Sequence, residues 1–440
     1  MLGHLSRWMK IISTDEMFML KKQILESDFE VEIMLNKNTT KKVLEYIKNN
    51  WGKSIRPAND MVPYPFTSPS ITGHFKELYY WDNYFIHKGL LLDGFADQVK
   101  NNLDNFKYYI ECFGYMPNAS MLITRSQPPV FARCVYEYYL FKGDKAILEE
   151  YLPALVKDYH FWMTQRILPC GLNTYGCTAT KYQLKAIYDD LSNRVHEKRD
   201  TEEEQIKLAK DILAVAESGL DFNMRFITEE SKLDASKFIH LDINCIMYDV
   251  ENMIATMYRI LGKEEDVKVF VEYANKRKVL IDKYLFDKSQ GIYLDYNFVD
   301  GTFSKTLSAV SFYPYVYGIS NDAKGAKKIL ERLELPFGIS PCEARGEDAL
   351  YFQWDYPCIW PYTTWFTYTG LKNVGLVEDA ERIAKKYMLD VNINFEKTGV
   401  LWEKYDGRDG TVAVTNEYET PEMLGWSAGV YRFFVEDMKL

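Results

Sequence analysis

The sequence predicts an all-α protein in which paired helices form a toroid, with long functional loops at one end and a few short strands. Three observations predict this fold. Roughly a dozen segments repeat apolar residues at the 3.6-residue spacing of a helix. Strands do not alternate with these segments, which argues against a doubly wound parallel sheet. The chain has neither a strict repeat nor a Gly/Ser-rich linker, so we expect one compact body.

The helical segments follow one another along most of the chain. In the segment 96–113, for example, Val99, Leu103 and Phe106 fall on one face. The clearest strand signal is 291–296, which is followed by a turn at 300–301. We predict helices over 40–51, 96–113, 126–141, 146–167, 200–218, 245–261, 264–285, 322–333, 359–371, 380–389 and 421–435.

Composition and charge exclude several classes of protein. The 440 residues are 47% hydrophobic and 26% charged, which is typical of a globular protein and excludes a disordered or collagen-like chain. The net charge of -10 argues against a nucleic-acid partner, because a surface that follows phosphates is usually basic. No run of about 18 apolar residues occurs, so we expect no membrane partner.

The cysteines and the first residues bear on the compartment. The seven Cys are scattered without a CxxC pair, which is typical of reduced thiols and argues against a disulfide framework or a metal site. Residues 1–13 include three basic or titratable side chains and lack an unbroken apolar stretch, so we expect no secretory signal. We therefore predict a cytoplasmic protein that binds no metal.

Five loop segments combine aromatic residues with carboxylates, amides and arginines. Sugar rings lie on aromatic faces, and their hydroxyl groups bind carboxylates, amides and guanidinium groups. Cleavage of a glycosidic bond needs two carboxyl groups, one protonated and one ionised. Taken singly, each Trp-Asp pair is better explained as a capped helix end with a buried Trp, but five such segments together favour a sugar site. The segments are 73–84, 117–118 with 125–129, 217–226, 353–361, and 402–406 with 416–418 and 425–426.

Taken together, these segments resemble the trehalase family of glycoside hydrolases. The first signature is matched by Tyr80-Trp81-Asp82-Asn83-Tyr84 and the second by residues 353–361 (QWDYPCIWP). The Arg-Ser-Gln-Pro-Pro, Glu-Ser-Gly-x-Asp-Phe and Glu-Lys-Tyr-Asp segments are matched by 125–129, 217–222 and 403–406. The segments occur in the order of the family, and the resemblance runs from about residue 59 to the C-terminus.

The resemblance implies an (α/α)6 barrel and the inverting hydrolysis of an α-glucoside, most simply α,α-trehalose to glucose. It implies Asp221 as the general acid and Glu403 as the general base, with no organic cofactor and no metal. For an inverting enzyme the two carboxyl groups should lie roughly 6.5–9.5 Å apart. We expect residues 1–38 to form an extension that packs on the barrel, and 39–440 to form a single catalytic domain.

The resemblance also implies a set of residues that bind the sugar. Spacing alone does not choose Glu403 over Glu417 as the base, since both lie near aromatic residues. One departure concerns His74, because the family usually has an Arg there and His offers a weaker set of donors. The implied sugar-binding residues are Phe75, Trp81, Asp82, Asn118, Arg125, Gln127, Arg194, Gly219, Trp354, Asp355, Trp360 and Glu417.

Several functions remain open from the sequence alone. The substrate is expected to be a small disaccharide or another glycoside, and a different α-glucoside or a glycosyl-glycerate is an alternative to trehalose. A sugar epimerase or isomerase, a phosphorylase and a non-catalytic sugar-binding protein are more distant alternatives. The sequence leaves the second sugar, the effect of His74, the oligomeric state and any regulation undetermined.

Overall fold

The computed structural model describes residues 35, 37–228, 232–346, 351–413 and 418–440. Most of the predicted N-terminal extension, 1–38, therefore lies outside the described residues, as does Glu417. Where the chain is described, it forms fourteen α-helices. They are α1 Lys37–Ser54, α2 Tyr80–Leu92, α3 Ala96–Phe113, α4 Phe131–Lys142, α5 Ala146–Gln165, α6 Lys181–Leu191, α7 Glu202–Glu217, α8 Leu241–Ile260, α9 Glu264–Tyr284, α10 Tyr313–Val316, α11 Ala323–Leu333, α12 Pro361–Asn373, α13 Val377–Thr398 and α14 Gly425–Asp437.

Helices that are consecutive in the sequence pack against each other and build a ring. The pairs are α2 with α3, α4 with α5, α6 with α7, α8 with α9, and α12 with α13. The ring closes because α14, the last helix, packs along α2. Gly429 permits this closure, since a Cβ there would lie 2.0 Å from the carbonyl oxygen of Phe85. The prediction of an all-α toroid of paired helices is confirmed.

Burial separates inner helices from outer ones. The helices α2 and α12 are buried on nearly every side and lie inside the ring. By contrast, α3 and α11 bury one apolar stripe and expose the opposite face. The helix α2 was not predicted, because a helix buried all round shows no apolar period. The helix α6 was also missed, although Thr180 and Gln183 form a capping box at its start.

Eleven strands of two residues each link the loops, within the described part of the chain, and every named pair is antiparallel. The predicted strand 291–296 is split, because Ile292–Tyr293 pairs with Phe286–Asp287 whereas Tyr296–Asn297 pairs with two other strands. The strands are β1 Ile55–Arg56, β2 Phe66–Thr67, β3 Phe238–Ile239, β4 Phe286–Asp287, β5 Ile292–Tyr293, β6 Tyr296–Asn297, β7 Thr302–Phe303, β8 Glu334–Leu335, β9 Gly338–Ile339, β10 Cys358–Ile359 and β11 Tyr405–Asp406. The pair β10–β11 brings the loop around 353–357 beside residue 403.

Candidate active site

The loops that connect the helices enclose a cavity of about 230 Å³. Twelve of the fourteen predicted site residues line this cavity. They come from loops that are far apart in the sequence and from the first turn of α2. The twelve are Phe75, Trp81, Asp82, Asn118, Arg125, Gln127, Arg194, Gly219, Asp221, Trp354, Trp360 and Glu403.

Asp221 lies in the loop that follows α7. Gly219 turns this loop with a positive φ of 76°, a conformation that glycine adopts without strain. The side chain of Gln353 donates to the backbone carbonyl oxygen of Asp221 at 2.7 Å. The Nη1 atom of Arg194 lies 3.5 Å from the Oδ2 atom of the Asp221 carboxyl group. Burial raises the pKa of the Asp221 carboxyl, while the guanidinium groups of Arg194 and Arg125 oppose that rise. About a third of this side chain, 31%, remains exposed.

The buried carboxylate of Glu217 holds two loops against the end of α7, behind Asp221. Arg166 donates to both of its oxygens, at 2.7 and 2.9 Å. The backbone N–H groups of Ser126 and Gly176 donate to the same carboxylate at 2.9 and 2.7 Å. Glu217 therefore fixes the end of α7 relative to the segment that carries Arg125. Glu217 lies in one of the matched motifs, but no feature of the sequence predicts its contact with Arg166.

Glu403 lies between α13 and β11 and is almost fully buried. The ammonium group of Lys404 donates to its Oε2 atom at 2.6 Å. The hydroxyl group of Tyr418 lies 2.9 Å from Oε1 and 3.2 Å from Oε2. Burial raises the pKa of the Glu403 carboxyl, and Lys404 and Tyr418 oppose that rise, whereas the charge of Asp221 adds to it. The backbone carbonyl of Glu403 accepts from the indole of Trp426 at 3.2 Å.

A third carboxyl group, that of Asp82, lies in the first turn of α2. Burial raises the pKa of Asp82 to about 7, and the charge of Glu403 also acts to raise it. By its pKa alone, Asp82 would suit a general acid near neutral pH. The cavity therefore holds two candidates for the acid, Asp82 and Asp221.

Arginine and amide side chains complete the polar wall. Arg125 is buried, and its Nε atom has no hydrogen-bond partner among the described residues. Burial lowers the pKa of its guanidinium group, while the charge of Asp221 opposes this. The side chain of Gln127 accepts from the backbone N–H of Trp81 at 2.9 Å. The carbonyl of Asn118 accepts from the backbone N–H of Tyr80 at 3.0 Å, which joins this loop to the start of α2.

The rest of the wall is aromatic. Trp354 and Trp360 stack with ring centroids 3.4 Å apart, and the indole of Trp360 donates to the carbonyl of Gln353. Phe75 has a φ of 58°, which is uncommon for a residue with a side chain, and its ring contacts Tyr79. Such strained positions cluster at functional sites. Aromatic faces beside carboxylates suit a sugar ring.

The two remaining predicted site residues are Asp355 and Glu417. The carboxylate of Asp355 is fully buried outside the cavity lining and accepts from the backbone N–H groups of Phe352 and Met224, both at 3.0 Å. Its prediction as a cavity wall residue is therefore corrected: it holds two loops in place. The physical reason is that neighbouring side chains of an irregular loop point to different sides, so Trp354 faces the cavity and Asp355 does not. Glu417 lies outside the described residues.

The cavity also has residues that were not predicted as site residues. Tyr79, Gln353, Tyr418 and Trp426 all lie within the five loop segments rich in aromatic and polar residues, so their positions in those segments were the available signal. Leu122 and Met423 carried no such signal. His74, in contrast, is exposed and is not among the residues that line the cavity. The His74 ring lies 6.5 Å from the ring of Phe75, which does line the cavity.

Comparison with known proteins decides the family. The family model described as Trehalase matches residues 8–439. The chain belongs to the trehalase family. It is therefore a glycosidase, and the resemblance drawn from the five segments is confirmed.

Two bacterial members of the trehalase family are similar to most of the chain. A putative periplasmic trehalase of Salmonella typhi is 29% identical over 405 residues, which cover 86% of this chain and 69% of that protein. A periplasmic trehalase of Shigella flexneri is 30% identical over 396 residues, which cover 84% of this chain and 68% of that protein.

Solved structures support the (α/α)6 fold. The neutral trehalase Nth1 from Saccharomyces cerevisiae superposes with a TM-score of 0.68 at 22% identity, covering 90% of this chain and 79% of that chain. The mannosylglycerate hydrolase from Thermus thermophilus was solved with Tris and D-glycerate. It superposes with a TM-score of 0.63 at 18% identity, covering 90% of this chain and 100% of that chain.

The names of the bacterial relatives contradict the expectation of a cytoplasmic protein. That expectation relied on the scattered cysteines and on residues 1–13, which lie outside the described residues, and it is corrected. All seven cysteines are unpaired, and four of them are buried. A buried, isolated thiol has no partner within reach and is shielded from oxidants, so it does not report the compartment. None of the described helices is long and apolar enough to cross a membrane, and the described residues contain no group of side chains that could hold a metal ion.

Proposed function

We propose that this protein hydrolyses α,α-trehalose to two molecules of glucose, with inversion at the attacked anomeric carbon. The observation that carries the proposal is that Asp221 and Glu403 line one cavity of about 230 Å³ walled by tryptophans. The trehalase relatives support trehalose as the substrate.

In this proposal Asp221 is the general acid and Glu403 the general base. Asp221 gives its proton to the glycosidic oxygen as the bond to the anomeric carbon breaks. Glu403 removes a proton from a water molecule, and the oxygen of that water bonds to the anomeric carbon from the opposite face. Burial raises the pKa of Asp221, which favours the protonated form that an acid needs. The charge of Lys404 favours the ionised form that a base needs.

The other lining residues bind the sugars. We assign Trp81, Trp354 and Trp360 to the apolar faces of the rings, and Asn118 and Gln127 to hydroxyl groups. Arg125 and Arg194 supply guanidinium forks, and Phe75 and Gly219 shape the walls. This chemistry uses protein side chains and water alone. Residues 39–440 would then act as one catalytic domain.

A glycosyl-glycerate is the second candidate substrate. Arg125 presents a buried guanidinium group whose Nε atom has no described hydrogen-bond partner, and a carboxylate is the natural ligand of such a fork. The Thermus thermophilus mannosylglycerate hydrolase has a similar fold and was solved with D-glycerate. An acidic aglycone would pair with Arg125, whereas a second glucose would meet it through hydroxyl groups.

One experiment separates these substrates. The purified protein is incubated with trehalose, kojibiose, nigerose, glucosylglycerate and mannosylglycerate, and NMR follows the products and their anomers. We expect trehalose to be cleaved fastest, with one glucose released as the β-anomer. Exclusive cleavage of the glycerates would replace trehalose as the substrate. Initial release of the α-anomer alone would exclude inversion, and a requirement for phosphate would indicate a phosphorylase.

A further inference from the structure

We propose that Lys404 is a positioning residue that keeps Glu403 ionised and oriented for removing a proton from water. This inference rests on the proposed function and deepens it. The ammonium group lies 2.6 Å from the Oε2 atom of Glu403, and the side chains of Lys404 and Glu403 are 0% and 2% exposed. Lysine is rarely buried so completely unless it is paired, which points to a specific role for this pair.

The position of the ammonium group is defined by more than one contact. It lies 4.8 Å from the ring centroid of Trp360 and 4.2 Å from that of Tyr418. A cation over an aromatic face is attracted to it, most strongly where water is excluded. Both rings line the cavity. Lys404 therefore couples the base to two cavity walls while staying out of the lining itself.

The charges around Glu403 explain why a cation is needed. Burial raises the pKa of Glu403, and the carboxylate of Asp221 raises it as well. Asp82 faces Glu403 from α2, and the thiol of Cys358 faces it from β10. None of these three groups can supply a positive charge. Lys404 is the strongest influence that opposes the rise, and the hydroxyl of Tyr418 is a weaker one.

The same contacts distinguish the two oxygens of Glu403. Oε2 accepts from Lys404 at 2.6 Å and lies 3.2 Å from the hydroxyl of Tyr418. Oε1 has only the Tyr418 hydroxyl, at 2.9 Å, among the described residues. Each carboxylate oxygen can accept about two hydrogen bonds. Oε1 therefore retains the capacity to accept a bond from water, and we assign it as the atom that takes the proton.

The test is the pH dependence of kcat/KM for Lys404→Met on the substrate that the wild-type protein hydrolyses. Because the base must be ionised, activity falls as the pH drops through the pKa of Glu403. Loss of an opposite charge at this distance should move that acidic limb up by about 1–3 pH units. Lys404→Arg keeps the charge and should restore the limb to within about half a unit of wild type.

Lys386→Met is the matched control. Lys386 is 3% exposed and donates to Glu334 at 2.7 Å, so it is another buried lysine paired with a carboxylate, but it does not line the cavity. This variant should lose thermal stability and leave the acidic limb unchanged. A merely structural role for Lys404 would give the same result for both variants.

The outcomes keep the inference separate from the proposed function. If the wild-type protein cleaves none of the panel substrates, the proposed function fails, and the role of Lys404 that depends on it is overturned with it. If wild type is active and Lys404→Met has an unchanged acidic limb, the inference is overturned. If Lys404→Met does not fold, Lys404→Gln replaces it, since the amide keeps a donor without the charge. An unchanged acidic limb in that variant overturns the inference as well.

Discussion

The loops around Asp221 and Glu403 hold their carboxyl groups in different ways. Asp221 is about one third exposed and faces the guanidinium groups of Arg194 and Arg125. Glu403 is 2% exposed and is held by Lys404 and Tyr418. Burial raises the pKa of both groups, and cations oppose the rise in both cases.

The difference is one of rigidity and access. The proposed base is held at both oxygens, which suits a group that must orient a small water molecule. The proposed acid is held mainly through its backbone carbonyl, so its side chain can reach the oxygen between two sugars. Environment, and not residue type, would thus divide the two roles.

Removing the carboxyl group of Asp221 or of Glu403 should have the largest effect on activity. We expect Asp221→Asn and Glu403→Gln each to lower kcat by roughly 10²–10⁴-fold, since each removes a proton-transfer group. Initial rates on trehalose measure the loss, and thermal unfolding checks that the fold persists. Near-wild-type rates for both variants would remove the basis of the assignment.

Arg166→Met tests the support behind Asp221. It leaves Glu217 buried without its cation, which should lower the free energy of unfolding by about 3–5 kcal/mol in urea titrations. Arg332→Met is the control, because the pair Arg332–Glu343 is about one third exposed and should contribute at most about 1 kcal/mol. Equal losses in the two variants would show that Glu217 is not the anchor inferred above.

Asp82→Asn decides between the two candidate acids. If Asp82 binds sugar hydroxyls, the variant should lose about 1.5–3 kcal/mol of transition-state binding, or roughly 10–150-fold in kcat/KM. The shape of the pH profile should stay the same. A loss of kcat as large as that of Asp221→Asn, with the alkaline limb abolished, would instead make Asp82 the acid.

Arg194→Met should lower the plateau of kcat/KM, because Arg194 is also assigned to sugar binding, and it should in addition give the smallest change, a shift of the alkaline limb. The charge of Arg194 lowers the pKa of Asp221, and an acid must be protonated to act. Without Arg194 the pKa of Asp221 rises, so the alkaline limb of kcat/KM should move up by about one pH unit. Arg408→Met, which removes a partly exposed arginine paired with Asp406, should leave that limb in place. A downward shift for Arg194→Met would show that Asp221 does not act as the acid.

Much of the fold and of the site could be predicted, because local sequence patterns indicate them. Amphipathic helices such as α3 show their period in the sequence, and the family resemblance led to twelve residues of one cavity. The helix α2 was not predicted, because a helix that is buried on all sides shows no apolar period in its sequence. Asp355 was misplaced because a motif gives residue order but not the direction of each side chain.

By itself, then, the sequence determined the helical class, the order of the motifs and the candidates for the two catalytic carboxyl groups. The tertiary structure alone decided that Arg166 meets Glu217, that Trp360 and Tyr418 enclose the ammonium group of Lys404, and that burial raises the pKa of Asp82 to about 7. The physical reason is that burial and charge act through space. The pKa and the partners of each group therefore depend on residues that folding brings close, however far away they lie along the chain.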